Sequence, residues 1–159
     1  MLLIIWHSRT GAAQAMAEAA HAGAMREGPV RLIAAHETGA EDLLLAGGYL
    51  FVCPENLGAL TGAMKEFFDT CYYPLLGRIE GRAYATAIAA GSDGTGAERQ
   101  LDRIVTGWRL RRIAAGLIVN LGAQTPEEIL RPKTPAPDSL QNCHDLGQAM
   151  SAGLTMGTF

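Results

Sequence analysis

Five stretches of the chain are apolar almost without a break, and four longer ones are apolar only at helical spacing. Residues 2–6, 30–35, 49–53, 84–90 and 113–119 make up the first set, interrupted only by Arg31, Thr86 and Gly116. Strands wetted on one face alternate in polarity, whereas continuous runs of this kind predict strands covered on both faces, as in parallel sheets. The second set predicts helices. Residues 12–26 are rich in Ala and Met, residues 61–72 align Met64, Phe67, Phe68 and Cys71, and residues 96–108 align Ala97, Leu101, Ile104, Val105 and Trp108. A last helix aligns Leu140, Cys143, Gly147, Met150 and Leu154, with Asp138 as its expected N-cap. Residues 36–48 are less regular, with a short helix expected at 41–46.

Strand and helix alternate along the whole chain, which implies right-handed crossovers and helices on both faces of one sheet. The expected architecture is α/β: a doubly wound, five-stranded parallel sheet of order 2-1-3-4-5, forming a single domain over residues 1–159. No internal repeat is present. The proline-rich residues 131–137 read either as a plain surface loop or as a flap over a site.

Composition narrows the function classes. A hydrophobic fraction of 48%, a charged fraction of 18% and a net charge of -3 describe a compact domain with no basic stripe, so nucleic acid is not an expected partner. Cys53, Cys71 and Cys143 contain no CxxC pair, which argues against a disulfide framework or a zinc knuckle and fits a reducing compartment. The apolar run at residues 2–6 is too short for a signal peptide or a membrane span. A cytoplasmic location is expected.

The chemistry gathers in three loops, each directly after a predicted strand. They are Ser8-Arg9-Thr10-Gly11, then Pro54-Glu55-Asn56-Leu57-Gly58, then Gly91-Ser92-Asp93-Gly94 with Thr95 and Gly96 behind it. Loops that follow parallel strands collect on the carboxyl edge of the sheet, where ligands bind. The first offers hydroxyls and a glycine at a helix start, a setting for an anion. It lacks the Gly-Lys-Ser or Gly-Lys-Thr of a triphosphate loop, and no dinucleotide fingerprint is present. In the second, Pro54 is expected to take the chain out of the sheet, while Asn56 and Gly58 tolerate a turn. In the third, glycines allow close approach to the backbone. Each loop alone is an ordinary strand-to-helix turn. Three on one rim suit an anion joined to a flat ring.

The strings HSRTGAAQAMA (residues 7–17), CPENLGALTGAMKEFFD (53–69) and AAGSDGTGAERQLDRI (89–104) resemble the flavodoxin-like family of FMN-binding NAD(P)H oxidoreductases. The resemblance touches nearly the whole chain in order, and its middle string is the most specific. It implies bound FMN, with Ser8, Thr10 and Gly11 holding the phosphate in a turn that also contains Arg9, Ala12 and Ala13. It further implies that Pro54, Glu55, Asn56, Leu57 and Gly58 line the isoalloxazine, and that Gly91, Ser92, Asp93 and Gly94 close over it. The chain departs from the family at Ala12 and Ala13, where flavodoxin-type loops usually carry Asn and Thr. The implied activity is reduction of a quinone, a flavin or a similar small acceptor with NADH or NADPH. A non-enzymatic electron carrier and a binding protein that has lost FMN are the alternatives.

A phospho-receiver domain of the same architecture would need an aspartate where Cys53-Pro54 stand. No catalytic acid, base or nucleophile is assigned, since a flavin would supply the chemistry. His36 and His144 lack ligand-spaced partners, so no metal is expected. His7, beside the first loop, reads as a partly buried, hydrogen-bonded side chain rather than a protonated helper for the phosphate. Cys53 reads as a small buried hydrophobe, and Glu98, Arg99, Asp102 and Arg103 read as a solvated face. Tyr72 and Tyr73 end a helix at the rim away from the three loops. With Pro74, Leu75 and Leu76 they form a candidate subunit contact, and a homo-oligomer is expected.

Overall fold

The computed structural model describes residues 1–159. Its parallel sheet contains β1 (Leu2–Trp6), β2 (Val30–Ala34), β3 (Gly48–Asn56) and β5 (Ala83–Ala90) in the order β2-β1-β3-β5. The fifth position is shared by two short strands, β6 (Arg111–Arg112) and β7 (Leu117–Asn120), both parallel to β5. This is the expected 2-1-3-4-5 order, with two differences. The fifth strand breaks at residues 113–116, where Gly116 runs so close to α4 that an added Cβ would lie 2.2 Å from Glu98 Oε1. A two-residue strand, β4 (Ala59–Leu60), also turns back antiparallel on the end of β3.

Six helices complete the chain: α1 (Ala12–Ala24), α2 (Ala40–Leu45), α3 (Gly62–Leu75), α4 (Thr95–Gly107), α5 (Pro126–Leu130) and α6 (Pro137–Met156). The N-cap of α6 is Ala136 rather than Asp138, because Pro137 takes the first helical position, where its missing N–H leaves nothing unpaired. No helix is long and apolar enough to cross a membrane.

Strand side chains divide between two cores. Leu3, Ile5, Tyr49, Phe51, Cys53, Tyr84 and Ile88 point toward α2, α3 and α4, where they meet Phe67, Phe68, Leu101 and Trp108. Leu2, Ile4, Leu50, Val52 and the alanines 85, 87 and 89 point toward α1 and α6. That alternation explains the uninterrupted apolar runs, since every strand position faces one core or the other.

Of the polar residues of α4 expected to form a solvated face, Arg99 and Arg103 are exposed, whereas Glu98 and Asp102 are not free. Arg112 on β6 pairs with Glu98 at 2.7 Å and Asp102 at 2.9 Å, while its guanidinium lies 5.0 Å from the centroid of the Tyr84 ring. Tyr84 also hydrogen-bonds Asp102. An edge arginine therefore ties α4 to the sheet through charges that look free in one dimension.

Candidate functional site

A cleft of about 420 Å³ opens at the carboxyl edge, bordered by the start of α1, the end of β3, Gly91 after β5 and the segment leading from β7 toward α6. Ser8, Arg9, Thr10, Ala12, Ala13 and Lys133 give it one polar, cationic end, while Ala89, Leu121, Ala123, Ile129 and Leu130 give it an apolar wall. Pro54, Glu55, Asn56 and Gly91 complete the lining.

The polar end follows from how α1 begins. Gly11, its N-cap, has φ 96°, a left-handed conformation that glycine adopts without strain. The Gly11 N–H donates to Ser8 Oγ at 3.0 Å, closing the turn. Ala15 N–H donates to Gly11 O at 3.0 Å, so the N–H groups of Ala12, Ala13 and Gln14 precede that bond and have no acceptor within the helix. The first turn contains no acidic residue and no side-chain cap. Those donors, at the positive end of the helix dipole, face a cleft lined by Arg9 and Lys133. His7 does not join them. Its Nδ1 lies 2.9 Å from Thr61 Oγ1, and burial, with the charges of Arg9 and His36 adding to it, holds the imidazole below its ordinary pKa.

The second loop differs from expectation. Pro54 stays in register with Ala89 of β5, and β3 continues to Asn56 before a hairpin turns at Leu57 (φ 53°) and Gly58 (φ 71°). Two successive positive φ values are the signature of the tight turn that matches strand twist. Proline is tolerated here because it needs no N–H for its place at the strand end, and pairing with β4 through Glu55 and Asn56 carries the chain onward. Leu57 sits at the tip, 98% exposed and away from the cleft lining.

Glu55 borders the cleft, but its carboxylate is committed elsewhere. It accepts from Gly94 N–H at 2.9 Å and Ala97 N–H at 3.0 Å, capping α4. Gly96 passes so near the hairpin that an added Cβ would lie 2.1 Å from Gly58 O. The start of α4 is thereby satisfied from within the protein, whereas the start of α1 is not.

Of the third loop only Gly91 lines the cleft. Ala123 N–H donates to Gly91 O at 2.9 Å, and a Cβ at Gly91 would lie 2.7 Å from Ala123 O, so the glycine admits the neighbouring strand's loop. Ser92 O accepts from Asn120 Nδ2 at 2.5 Å, and Asp93 accepts from the Thr95 hydroxyl at 2.8 Å. Ser92, Asp93 and Gly94 thus scaffold the loop and lie outside the lining.

Sequence reasoning assigned no site residue between β7 and α6, although one of its two readings of residues 131–137 was a flap over a site. Leu121, Ala123, Ile129, Leu130 and Lys133 all line the cleft. The available signal was Thr125-Pro126-Glu127-Glu128, a capping box with proline at the helix start. In the structure Thr125 Oγ1 accepts from Glu128 N–H at 3.3 Å, and the Glu128 carboxylate accepts from Gln124 and Thr125 N–H. Those backbone bonds hold that carboxyl below the usual range. Beyond α5 the chain crosses the first loop, with Lys133 N–H donating to Thr10 O at 2.8 Å. The proline stretch therefore borders the site. No group of His, Cys, Asp and Glu residues could hold a metal ion, and burial pushes the Cys53 thiol far above its ordinary range, leaving it inert.

Comparison with known proteins agrees with the architecture. The chain is 36% identical over 107 residues to a flavodoxin of Aquifex aeolicus, an alignment covering 66% of this chain and 58% of that protein. It thus spans a little over half the length of that relative. No family model matches the chain. Among solved structures, a flavodoxin from the domain Archaea superposes with a TM-score of 0.80 at 18% identity, covering 98% of each chain. A flavodoxin, WrbA-like protein from Agrobacterium tumefaciens gives 0.77 at 15% identity, over 98% of this chain and 97% of that one. Megasphaera elsdenii flavodoxin gives 0.71 at 19% identity, over 95% and 98%. The chain has the flavodoxin-like fold.

Proposed function

We propose that the cleft binds flavin mononucleotide and that the protein is a flavodoxin-type carrier of electrons. The observation that carries this reading is the two-ended cleft, with unpaired helix N–H groups and cations at one end and an aliphatic wall beside it. Its donor set fits one phosphate joined to a flat, largely apolar ring. Ser8, Thr10 and the N–H groups of Ala12 and Ala13 would hold the phosphate, with the ring against Leu121, Ala123, Ile129 and the main chain of Pro54 to Asn56. Bound FMN supplies one- or two-electron chemistry. The protein's own part is to bind, orient and shield, because Glu55, the one carboxylate in the lining, is taken up by α4. Similarity to the Aquifex flavodoxin supports the carrier reading over an enzyme.

A second reading, NAD(P)H-dependent reduction of a small acceptor, is favoured by one observation. Carriers dock redox partners through strongly charged rims, whereas this chain has a net charge of only -3 and puts Arg9 and Lys133 at the cleft.

The first test is titration of the apoprotein with FMN, followed by flavin fluorescence. Saturable 1:1 binding that Gly11→Asp abolishes, with the variant still folded by circular dichroism, is the expected result. A Gly11→Asp protein that keeps its FMN affinity would place the phosphate elsewhere. Steady oxidation of NADH or NADPH by the reconstituted protein would then select the enzyme reading, and its absence the carrier.

A further inference from the structure

Resting on the FMN reading, we infer that Lys133 is the residue that distinguishes a phosphorylated flavin from an unphosphorylated one. The first turn of α1 presents two buried methyls, Ala12 and Ala13, and no side-chain cap. The Ser8 hydroxyl oxygen already accepts from Gly11 N–H. A phosphate there finds backbone donors but little fixed charge from α1 itself.

The charge comes from the far end of the chain. Lys133 N–H donates to Thr10 O at 2.8 Å, and Lys133 O lies 3.5 Å from the position a Cβ on Gly11 would take. The crossing segment thus sits directly on the first loop. The Lys133 ammonium donates to Ile129 O at 2.7 Å and Arg131 O at 3.0 Å. Those bonds fix the side chain in place and leave one of its three N–H donors free.

Neither neighbouring carboxylate is hydrogen-bonded to the Lys133 ammonium, although Glu128 lies close enough to feel its charge. Glu55 has both oxygens on the start of α4, and Glu128 is bonded to the N–H groups of Gln124 and Thr125. Together with Arg9, Lys133 contributes positive charge to the cleft lining in a chain whose net charge is -3. Arg9 is exposed on its own loop, whereas Lys133 is half-buried and held by two carbonyls.

The opposing explanation is that Lys133 only caps the last carbonyls of α5. Parallel titrations of apoprotein with FMN and with riboflavin separate the two. Phosphate recognition predicts that Lys133→Gln weakens FMN by about tenfold or more, the size of one hydrogen bond to a charged group. Riboflavin binding should be unchanged, the salt dependence of FMN binding should become shallower, and Lys133→Arg should restore part of the loss. Equal weakening of both flavins, or of neither, overturns the assignment to Lys133 while leaving the FMN site standing. Failure of the wild-type protein to bind either flavin overturns both. Thermal melts of each variant without flavin show whether a loss comes from unfolding.

Discussion

The two faces of the sheet are built from different materials. Toward α3 and α4 the packing is aromatic, with Phe51 in contact range of Tyr49, Phe67, Phe68 and Tyr84 at ring-centroid distances of 6.0, 6.4, 5.2 and 6.4 Å. Toward α1 and α6 it is made of small residues, Ala12, Ala13, Ala17, Ala20 and Ala24 over Ala85, Ala87 and Ala89. There the helices nearly touch backbone to backbone. A Cβ on Gly147 would lie 2.0 Å from Ala20 O, and one on Gly23 would lie 2.0 Å from His144 O. Bulk stabilises the first face, and thinness positions the second. Because α6 lies tight on α1, the irregular segment leading into it is drawn across the loop that opens α1, which brings Lys133 to Thr10.

Phe51→Ala strikes the aromatic face where it is densest and should have the largest effect. Removing a fully buried phenylalanine costs about 3–5 kcal/mol, a large share of the roughly 5–15 kcal/mol that holds a domain folded. Denaturant unfolding should show this loss, whereas FMN affinity at low temperature, where the variant is still folded, should stay near wild type. A matching fall in affinity would mean that the two faces are not separable. Phe51→Leu, a milder change, keeps the comparison open if the alanine variant does not fold.

Gly147→Ala acts on the other face, and its effects should reverse in proportion. Alanine favours a helix interior by about 1 kcal/mol over glycine, so a stability gain is expected if sterics do not intervene. They do intervene, because the methyl meets a backbone oxygen and the helices must move apart by about 1 Å. Overpacking of this kind costs about 1–3 kcal/mol. The displacement also loosens the crossing at Thr10, so FMN affinity should fall further than the modest loss of stability suggests. Equal unfolding midpoints and equal FMN affinity in wild type and variant would show that the thin face does not position the site.

Much of this was legible in one dimension, and the parts that were not share a cause. Strand order and the two-sided cover follow from apolar runs such as residues 2–6 and 49–53, which local pattern expresses directly. Gly11 at the start of α1 was legible too, since a left-handed N-cap favours glycine. Pro54 misled because its missing donor matters only where a partner needs it, and pairing with β4 is a non-local fact. Glu55 was read as lining the flavin ring, and Glu98 and Asp102 as surface charges, yet their roles depend on the start of α4 and on Arg112, which lie far along the chain. Ile129 was missed for the same reason, and Lys133 was reached only through the flap reading of residues 131–137. The capping box at Thr125 announced a helix, but nothing local placed that helix beside Thr10.

The smallest expected effect lies where the two faces meet. His7 follows β1 at the edge of the first loop, and its ring is hydrogen-bonded to Thr61, the buried N-cap of α3 on the aromatic side. Burial lowers its pKa, with Arg9 and His36 contributing, so the folded state favours the neutral ring. In the unfolded chain the same imidazole titrates at its ordinary 6.5. Above that pH both states are neutral and His7 adds no pH dependence. As pH falls below it the unfolded state takes up the proton first, and stability declines until the folded imidazole is protonated as well. Denaturant unfolding of the apoprotein between pH 7.5 and 5.5 should therefore show a fall in stability that His7→Asn, which cannot titrate, reduces. The apoprotein is the right sample because a bound phosphate has its own pKa near 6. An unchanged slope in His7→Asn would mean that the His7–Thr61 contact does not link the site's first loop to the aromatic face in a way that stability can sense.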